Sequence, residues 1–195
     1  MKTVVEQAKE IYDRKMTVEQ IDFTNAWWAS LVKDEERLIA WIQKLYNSEM
    51  HGYDEYTGFI TRYKPEQVTR TVLNAMAMDE RRHAAILDQV LSYRDRYTAS
   101  WLPPSQYWTE MQKHATSFKT ACAVKYFGEA LAAERFKLLE KHPDTPDALF
   151  HAFRWIGPDE LKHCQAMFVM AGHEAIVEME KHHLVALANL VKKKS

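Results

Sequence analysis

The chain has 195 residues, the size of one domain with or without short appendages, and 47% of them are hydrophobic, so a sizeable core can be buried. Only 5 residues are Gly and 6 are Pro, which favours a few long helices over many short strands. The formal net charge of −1 removes the electrostatic case for a nucleic-acid partner.

Cysteine use and hydropathy narrow the class of protein further. Cys122 and Cys164 do not form a C-x-x-C pair, which excludes a rubredoxin-like or zinc-ribbon module, and we expect both to be small buried hydrophobes. No apolar run approaches the length of a membrane span, and the polar N-terminus lacks a signal-peptide core. We therefore expect a soluble, reduced, cytoplasmic protein with no membrane partner.

Helical patterns fill the first half of the chain. Between about residues 17 and 63 there is no proline and apolar residues recur at helical spacing, and Thr17–Gln20 matches a capping box. Pro65, followed by Glu66, interrupts the pattern and is expected at the first position of a second helix that runs to about Asp95.

Prolines also divide the second half. The stretch Arg96–Ser105 contains two consecutive prolines and is predicted to be a connection, followed by a third helix that starts at Tyr107 or later and ends at Lys141. The segment His142–Asp147 is the next break, with Thr145 as the expected N-cap and a proline at the first helical position.

The last part of the chain is predicted to form two helices. A fourth helix covers about 147–171, Gly172 ends it, and a final helix fits 174–193. Pro158 does not fit this pattern, because a proline inside a helix removes a hydrogen bond and crowds the preceding turn. We expect a kink or a helix restart there. The lysines at 192–194 are expected to be a solvated helix end.

Two segments, Asp79–His83 and Asp159–His163, read Asp-Glu-x-x-His. Residues three apart lie on the same face of a helix, so the carboxylate and the imidazole of each segment can hold one metal ion together. A third Glu-x-x-His, Glu180–His183, has Leu149 where the others have a partner glutamate, and we expect it at the surface together with His173.

Each of the first two motifs has a glutamate partner at the same interval. Glu49 precedes Glu80 by 31 residues, and Glu129 precedes Glu160 by 31 residues. The midpoint of each interval falls on a turn predicted from proline, and a helical hairpin that turns at its midpoint brings its two ends level. Two such hairpins would place four glutamates and two histidines in the centre of a bundle, the ligand set of ferritin-like dinuclear carboxylate proteins.

The chain from about Asp34 to Gly172 therefore resembles the ferritin-like di-iron carboxylate superfamily at all six ligand positions: Glu49, Glu80, His83, Glu129, Glu160 and His163. Asp79–His83 also resembles the D-E-x-R-H box of di-iron monooxygenases and acyl-carrier-protein desaturases, whereas the second box has Lys162 in place of Arg. The resemblance implies a single all-α domain, a ferritin-like four-helix bundle at about 34–172 with an N-terminal helical extension, 1–33, and a C-terminal fifth helix, 173–195.

The resemblance also implies roles for these residues. Glu80 and Glu160 would bridge two metal ions, and the other four ligands would be terminal. Asp79 and Asp159 would accept the second N–H of an imidazole and hold its tautomer. Oxygen and nitrogen ligands suit two iron ions, or manganese in place of one or both, better than a tetrahedral zinc site. Without metal, four buried carboxylates would repel one another.

Residues beside the ligands have both functional and structural interpretations. Tyr46 and Tyr126 each lie three residues before a ligand glutamate, where they would hydrogen-bond a carboxylate, carry a radical, or simply belong to the core. Gly52, Ala132 and Ala133 lie three or four residues after one, where they would leave room for dioxygen or a substrate, or permit close helix packing.

These observations predict a dinuclear-metal oxidoreductase that uses O2 or peroxide to oxidise a small organic substrate. The electrons would come from an external donor, because the chain has no flavin or nucleotide motif. A ferroxidase or iron-storage protein is one alternative, and a helical interaction protein with a vestigial metal site is another. The sequence leaves open the identity of the substrate and whether the protein forms a homodimer. It also leaves open whether the two hairpins are joined by a crossover or by an up-down connection.

Overall fold

The computed structural model describes residues 2–94 and 102–192, with side chains up to 189, and every regular element in these ranges is a helix. The all-α class is therefore confirmed for this part of the chain. In chain order the helices are α1 (Val4–Asp13), α2 (Val18–Leu31), α3 (Glu35–Tyr63), α4 (Gln67–Ser92), α5 (Gln106–Gln112), α6 (Phe118–Lys141) and α7 (Asp147–Lys192). None of the helices described is long and apolar enough to cross a membrane.

Side-chain caps explain where the first three helices begin. The Thr17 hydroxyl accepts a hydrogen bond from the Gln20 N–H, and the Gln20 side chain accepts one from the Thr17 N–H, so the predicted capping box is confirmed. Thr3 and Glu6 form a second box at the start of α1. Asp34 caps α3 by accepting from the Arg37 N–H at 3.1 Å.

The helices α3 and α4 form a hairpin and pack against each other. Lys64 ends α3 in the left-handed conformation, with φ of 46°, and Glu66 at ψ of 162° is the N-cap of α4. Pro65 therefore precedes the cap and is not the first helical residue, so that prediction was wrong by two positions. The left-handed residue turns the chain, and an extended residue is needed before the next helix can start.

The predicted third helix is two helices in the structure. Ser105 caps α5, and a reciprocal pair starts α6, because the Ser117 N–H donates to Thr120 Oγ1 and the Thr120 N–H donates to Ser117 Oγ. These local bonds compete with helix continuation across 113–117. Most of the predicted connection before α5 lies at 95–101, outside the described residues.

The turn between α6 and α7 is where the sequence predicted it, but its cap is different. The Pro146 carbonyl accepts from the N–H of Phe150, which makes Pro146 the residue before the first helical position. The Thr145 hydroxyl instead accepts a hydrogen bond from the Trp28 indole N–H at 2.7 Å and donates to the Leu139 carbonyl. The prediction that Thr145 caps α7 was wrong, because a tertiary partner competes for its hydroxyl.

Helix α7 passes through Pro158 with helical backbone angles and leaves them only at Gly172, with φ of 74° and ψ of 163°. The predicted alternative of a helix restart at Pro158 was therefore wrong, the alternative of a kink stays a prediction, and the predicted interruption at Gly172 is confirmed. Gly157 accounts for part of the difference, because it has no Cβ to collide with the proline ring. The lysines at 193 and 194 lie outside the described residues.

Two compact units can be distinguished in the chain. The terminal unit comprises the residues up to Lys15, Pro104–Leu131 and the residues from Glu160 onward, and the hairpin unit comprises Met16–Pro103 and Ala132–Asp159. Helices α6 and α7 each contribute residues to both.

The core of the hairpin unit draws on α2, α3, α4, the end of α6 and the start of α7. Trp28 is completely buried, and its ring lies 5.1 Å from Trp41 and 5.8 Å from Phe153 between centroids. Phe153 also stacks on Phe136 at 5.3 Å. All four helices predicted for the bundle therefore contribute to one apolar core in this unit, while the ferritin-like arrangement stays a prediction.

Candidate metal centre

All six predicted ligand side chains are buried, with relative exposures of 5% or less: Glu49, Glu80, His83, Glu129, Glu160 and His163. Carboxylates and imidazoles are rarely buried to this degree unless they are paired or bind a metal, because removing charge from water is costly. A chance pattern on helix surfaces would have left them exposed.

The hairpin unit brings three of the six together, and we call Glu49, Glu80 and His83 the hairpin set. Glu49 projects from α3, and the other two project from α4 at positions three residues apart. Their ligand atoms all lie within 4.8 Å of one another. The hairpin turns near the midpoint of the interval between Glu49 and Glu80, and this register brings the carboxylate level with the Glu-x-x-His motif.

The imidazole of His83 lies between two carboxylates. Nδ1 is 3.3 Å from Glu49 Oε2, and Nε2 is 3.5 Å from Asp159 Oδ2. Burial opposes protonation of His83, but the two carboxylates outweigh it and the pKa of His83 is raised. Asp159 belongs to the second Asp-Glu-x-x-His motif and contacts the histidine of the first, so the orienting carboxylate and the oriented imidazole come from different helices.

Arg82 connects the two aspartates that precede the ligand glutamates. Its guanidinium lies 2.9 Å from Asp79 Oδ1 and 2.5 Å from Asp159 Oδ2. The arginine of the D-E-x-R-H box therefore holds Asp159 against His83. Asp79 contacts this arginine, and its predicted bond to an imidazole stays a prediction.

Gly52 makes room for a ligand. A Cβ at Gly52 would lie 2.7 Å from both Cδ and Oε2 of Glu80, closer than real side-chain contacts, whereas one at Gly58 on the same helix would meet nothing within 4 Å. The Glu80 carboxylate thus fills the space that the missing side chain leaves. Ala132 packs against the apolar core. For both residues the structure supports the packing interpretation over a free space for dioxygen.

The terminal unit holds the other three predicted ligands, Glu129, Glu160 and His163, which we call the terminal set. Glu129 comes from α6 and the other two from α7. Ligand atoms of Glu129 and His163 lie within 4.8 Å of each other. Glu160 lies three residues before His163 and is 2% exposed. This set also offers only oxygen and nitrogen donors.

Lys125 is a residue of this site that the sequence analysis missed. Its ammonium lies 2.9 Å from Glu129 Oε1, and the side chains of both residues are at most 5% exposed. The signal was present, because residues four apart share a helix face and Lys125 precedes Glu129 by four. The Trp108 ring covers the ammonium, with its centroid 5.0 Å from Nζ.

The two tyrosines have core environments. Tyr126 is buried against aromatic rings, with centroids of Tyr12 at 6.4 Å and Phe168 at 5.4 Å, and burial raises its pKa. Tyr46 is half-buried and packs against the apolar core of the hairpin unit. These contacts favour the core interpretation.

Cys122 is also buried as predicted, and burial raises the pKa of its thiol to about 12.

The third Glu-x-x-His was expected at the surface, and this prediction was wrong for its histidine. His183 is buried, its Nδ1 lies 2.7 Å from the Tyr107 hydroxyl, and its ring stacks on Phe127. Glu180 forms an ion pair with Arg14 at 2.6 Å. Burial and the charge of Arg14 lower the pKa of His183 to about 4, so this imidazole is neutral at pH 7. The motif helps to hold α1 and α5 in the terminal unit.

Comparison with known proteins adds no further constraint. No protein-family model matches the chain, and neither do any curated proteins or solved structures. The functional interpretation therefore depends on the residues themselves.

Proposed function

We propose that the protein is a dinuclear-metal oxidoreductase, with two iron ions held by the hairpin set and the terminal set. The observation that carries the proposal is the convergence of Glu49, Glu80 and His83, all buried, within 4.8 Å in one unit. The 31-residue interval of this set recurs between Glu129 and Glu160. Manganese in place of one or both irons would use the same ligands.

Charge supports a cation at the hairpin set. Two carboxylates whose oxygens lie within 4.8 Å repel each other by about 3 kcal/mol at an effective dielectric constant of 20. A divalent cation between them would turn that repulsion into attraction. Carboxylate oxygens and imidazole nitrogens are the donors that iron and manganese accept in ferritin-like bundles.

The surroundings of His83 prepare it as a ligand. Asp159 can accept the Nε2–H and Arg82 holds Asp159 in place, so a metal ion would bind the other nitrogen, Nδ1, on the side that faces Glu49 and would replace the Nδ1 proton. This arrangement fixes the ring orientation and the nitrogen that is available to a metal. Gly52 leaves the space that the Glu80 carboxylate needs.

Iron bound by these residues would supply redox chemistry toward O2 or peroxide. The remaining requirements of the proposal are a small organic substrate and an external electron donor. A ferroxidase or storage role uses the same ligands, so the tests must separate turnover of a substrate from accumulation of iron.

The first experiment measures the iron content and the optical spectrum of protein purified from iron-supplemented cells. Native protein, Glu80→Ala and the matched control Glu36→Ala, at an exposed glutamate on α3, are compared. We expect about two irons per chain in the native protein and in the control, with iron charge-transfer absorption that Glu80→Ala loses. The reduced protein should then consume O2 faster when a substrate is present.

Two other outcomes would change the conclusion. Hundreds of irons per assembly, with continuous oxidation of added Fe(II), would identify a storage protein. Absence of metal from the native protein, with Glu80→Ala as stable or more stable, would overturn the metal-site proposal and leave a helical interaction protein.

A further inference from the structure

The short helix α5 covers part of the terminal unit. Tyr107 and Met111, four residues apart on its inner face, are at most 5% exposed. The Trp108 ring faces the ammonium of Lys125, and a Cβ at Gly128 would lie 2.3 Å and 2.4 Å from its nearest carbons. A helix of 7 residues is too short to be stable by itself, so α5 depends on these tertiary contacts.

Two histidines of α7 provide the polar part of this attachment. The Tyr107 hydroxyl lies 2.7 Å from Nδ1 of His183, at the start of α5. Just beyond the other end of α5, the ring of His114 stacks on that of His182, with centroids 3.5 Å apart. Both ends of α5 are therefore attached to α7 through imidazoles.

The surroundings of His183 oppose its protonation. Burial and the charge of Arg14 lower its pKa to about 4, and Arg14 is in turn paired with Glu180 on α7. The Tyr107 hydroxyl that faces His183 stays neutral, because burial raises its pKa, and the Phe127 ring stacked on the imidazole carries no charge. A proton on His183 is therefore unfavourable while α5 covers it.

The second contact acts in the same direction. Burial and the charges of His114 and Lys181 lower the pKa of His182, against the opposing charge of Glu178. Two stacked imidazoles repel each other when both are protonated. Acid therefore weakens the attachment at both ends of α5.

We propose that α5 is a lid that acid releases from α7, which uncovers the ion pair between Lys125 and Glu129. Once the lid opens, His183 is exposed to water and binds a proton at its ordinary pKa of 6.5. The closed state binds fewer protons, so the lid stays closed at pH 7 and opens increasingly as the pH falls below 6.5. From His183 alone, the equilibrium constant for opening should rise about twentyfold between pH 7 and pH 5.

The competing interpretation is that protonation of His183 destabilises the whole terminal unit at once. Opening of a lid requires no bound metal, so the lid can fail while the metal proposal stands. Hydrogen exchange distinguishes the two interpretations, because it measures the opening of each helix separately.

The test measures backbone amide exchange of the full chain at pH 7 and pH 5, each corrected for the intrinsic exchange rate at that pH. Amides of α5 are compared with those of the buried part of α6, 120–127, in the same unit. The variants are His183→Gln, which does not titrate, and the matched control His173→Gln, at an exposed histidine on α7. Melting temperatures show first that each protein is folded.

In native protein and in His173→Gln, we expect α5 to be less protected than α6 and to lose protection about twentyfold between pH 7 and pH 5. His183→Gln should lose most of that pH dependence. Equal protection of α5 and α6 at pH 5 would mean that α5 opens only with the rest of the unit, and there would be no lid. A native α5 whose protection does not fall with pH would refute the inference whether or not His183→Gln folds, and so would an unchanged fall in that variant.

Discussion

The hairpin set and the terminal set share their ligand types and their sequence interval, but their surroundings differ. In the hairpin set the neighbours act on the ligands directly, since Asp159 and Arg82 orient His83 and Gly52 makes room for Glu80. In the terminal set the neighbour is a buried cation, Lys125, under an aromatic ring. A repeated ligand pattern therefore does not imply two equivalent halves.

The difference suggests a division of labour. Oriented ligands with prepared space favour tight and specific metal binding, whereas a buried ammonium paired with a predicted ligand carboxylate competes with a cation for that carboxylate. Four expected effects, ordered from the largest to the smallest, test this asymmetry.

Removal of one glutamate from each set should have different consequences in metal-free protein. Glu129→Ala takes away the carboxylate beside the buried Lys125 and should lower the free energy of unfolding by about 3–5 kcal/mol. Glu49→Ala should cost less than about 1 kcal/mol, because it also relieves repulsion from Glu80. Urea unfolding of both variants measures the difference. The double variant Lys125→Met, Glu129→Ala should recover part of the loss, and equal costs for the two single variants would contradict the asymmetry.

Each unit also contains a buried histidine with a shifted pKa: the pKa of His83 is raised and that of His183 is lowered. The pKa of His183 falls from an ordinary value of 6.5 to about 4, so the folded protein binds fewer protons than the unfolded chain between these values. The stability associated with His183 is complete above pH 6.5 and is lost as the pH falls toward 4, by about 3 kcal/mol.

The control for this prediction is His183→Gln, which does not titrate and can still accept from Tyr107. Urea unfolding at pH 7 and pH 4.5 should show a smaller loss of stability for His183→Gln than for the native chain, because only the native chain loses the contribution of His183. Some loss should remain in both proteins, because other groups also titrate. Identical losses would show that His183 does not contribute.

Gly52 can be tested against a glycine on the same helix. Gly52→Ala places a methyl group against the Glu80 carboxylate and should destabilise the fold by about 1–3 kcal/mol while reducing the metal content. Gly58→Ala, with open space around it, should stabilise by about 0.5–1 kcal/mol and leave the metal content unchanged. Thermal unfolding and metal analysis of both variants measure these effects. Full metal occupancy in Gly52→Ala would show that Glu80 does not need this space.

The smallest effect should come from the residue that orients His83. Asp159→Asn keeps the shape of the side chain but removes its charge, and should lower metal affinity by about tenfold. Competition with a chelator of known affinity measures the change. Asp144→Asn, in the exposed turn before α7, is the control and should bind metal as the native chain does. Equal affinity in both variants would remove the orienting role of Asp159.

The sequence by itself determined the all-helical class, the main turns and the residues that would meet within the first hairpin. Proline and capping residues act locally, so the turns near Lys64 and Asp144 and the interruption at Gly172 were predictable. A shared helix face is also local, and so is a hairpin that turns at its midpoint. Together they predicted that Glu49, Glu80 and His83 would converge.

The tertiary structure alone decided the surroundings of those residues. The bond from Trp28 to Thr145, the contact of Asp159 with His83 and the cover of Trp108 over Lys125 join residues far apart in sequence. Helical periodicity specifies which face of a helix is buried, but it does not specify which side chain of another helix fills the space against that face. The ligand pattern was therefore readable from the sequence, and the asymmetry between its halves was not.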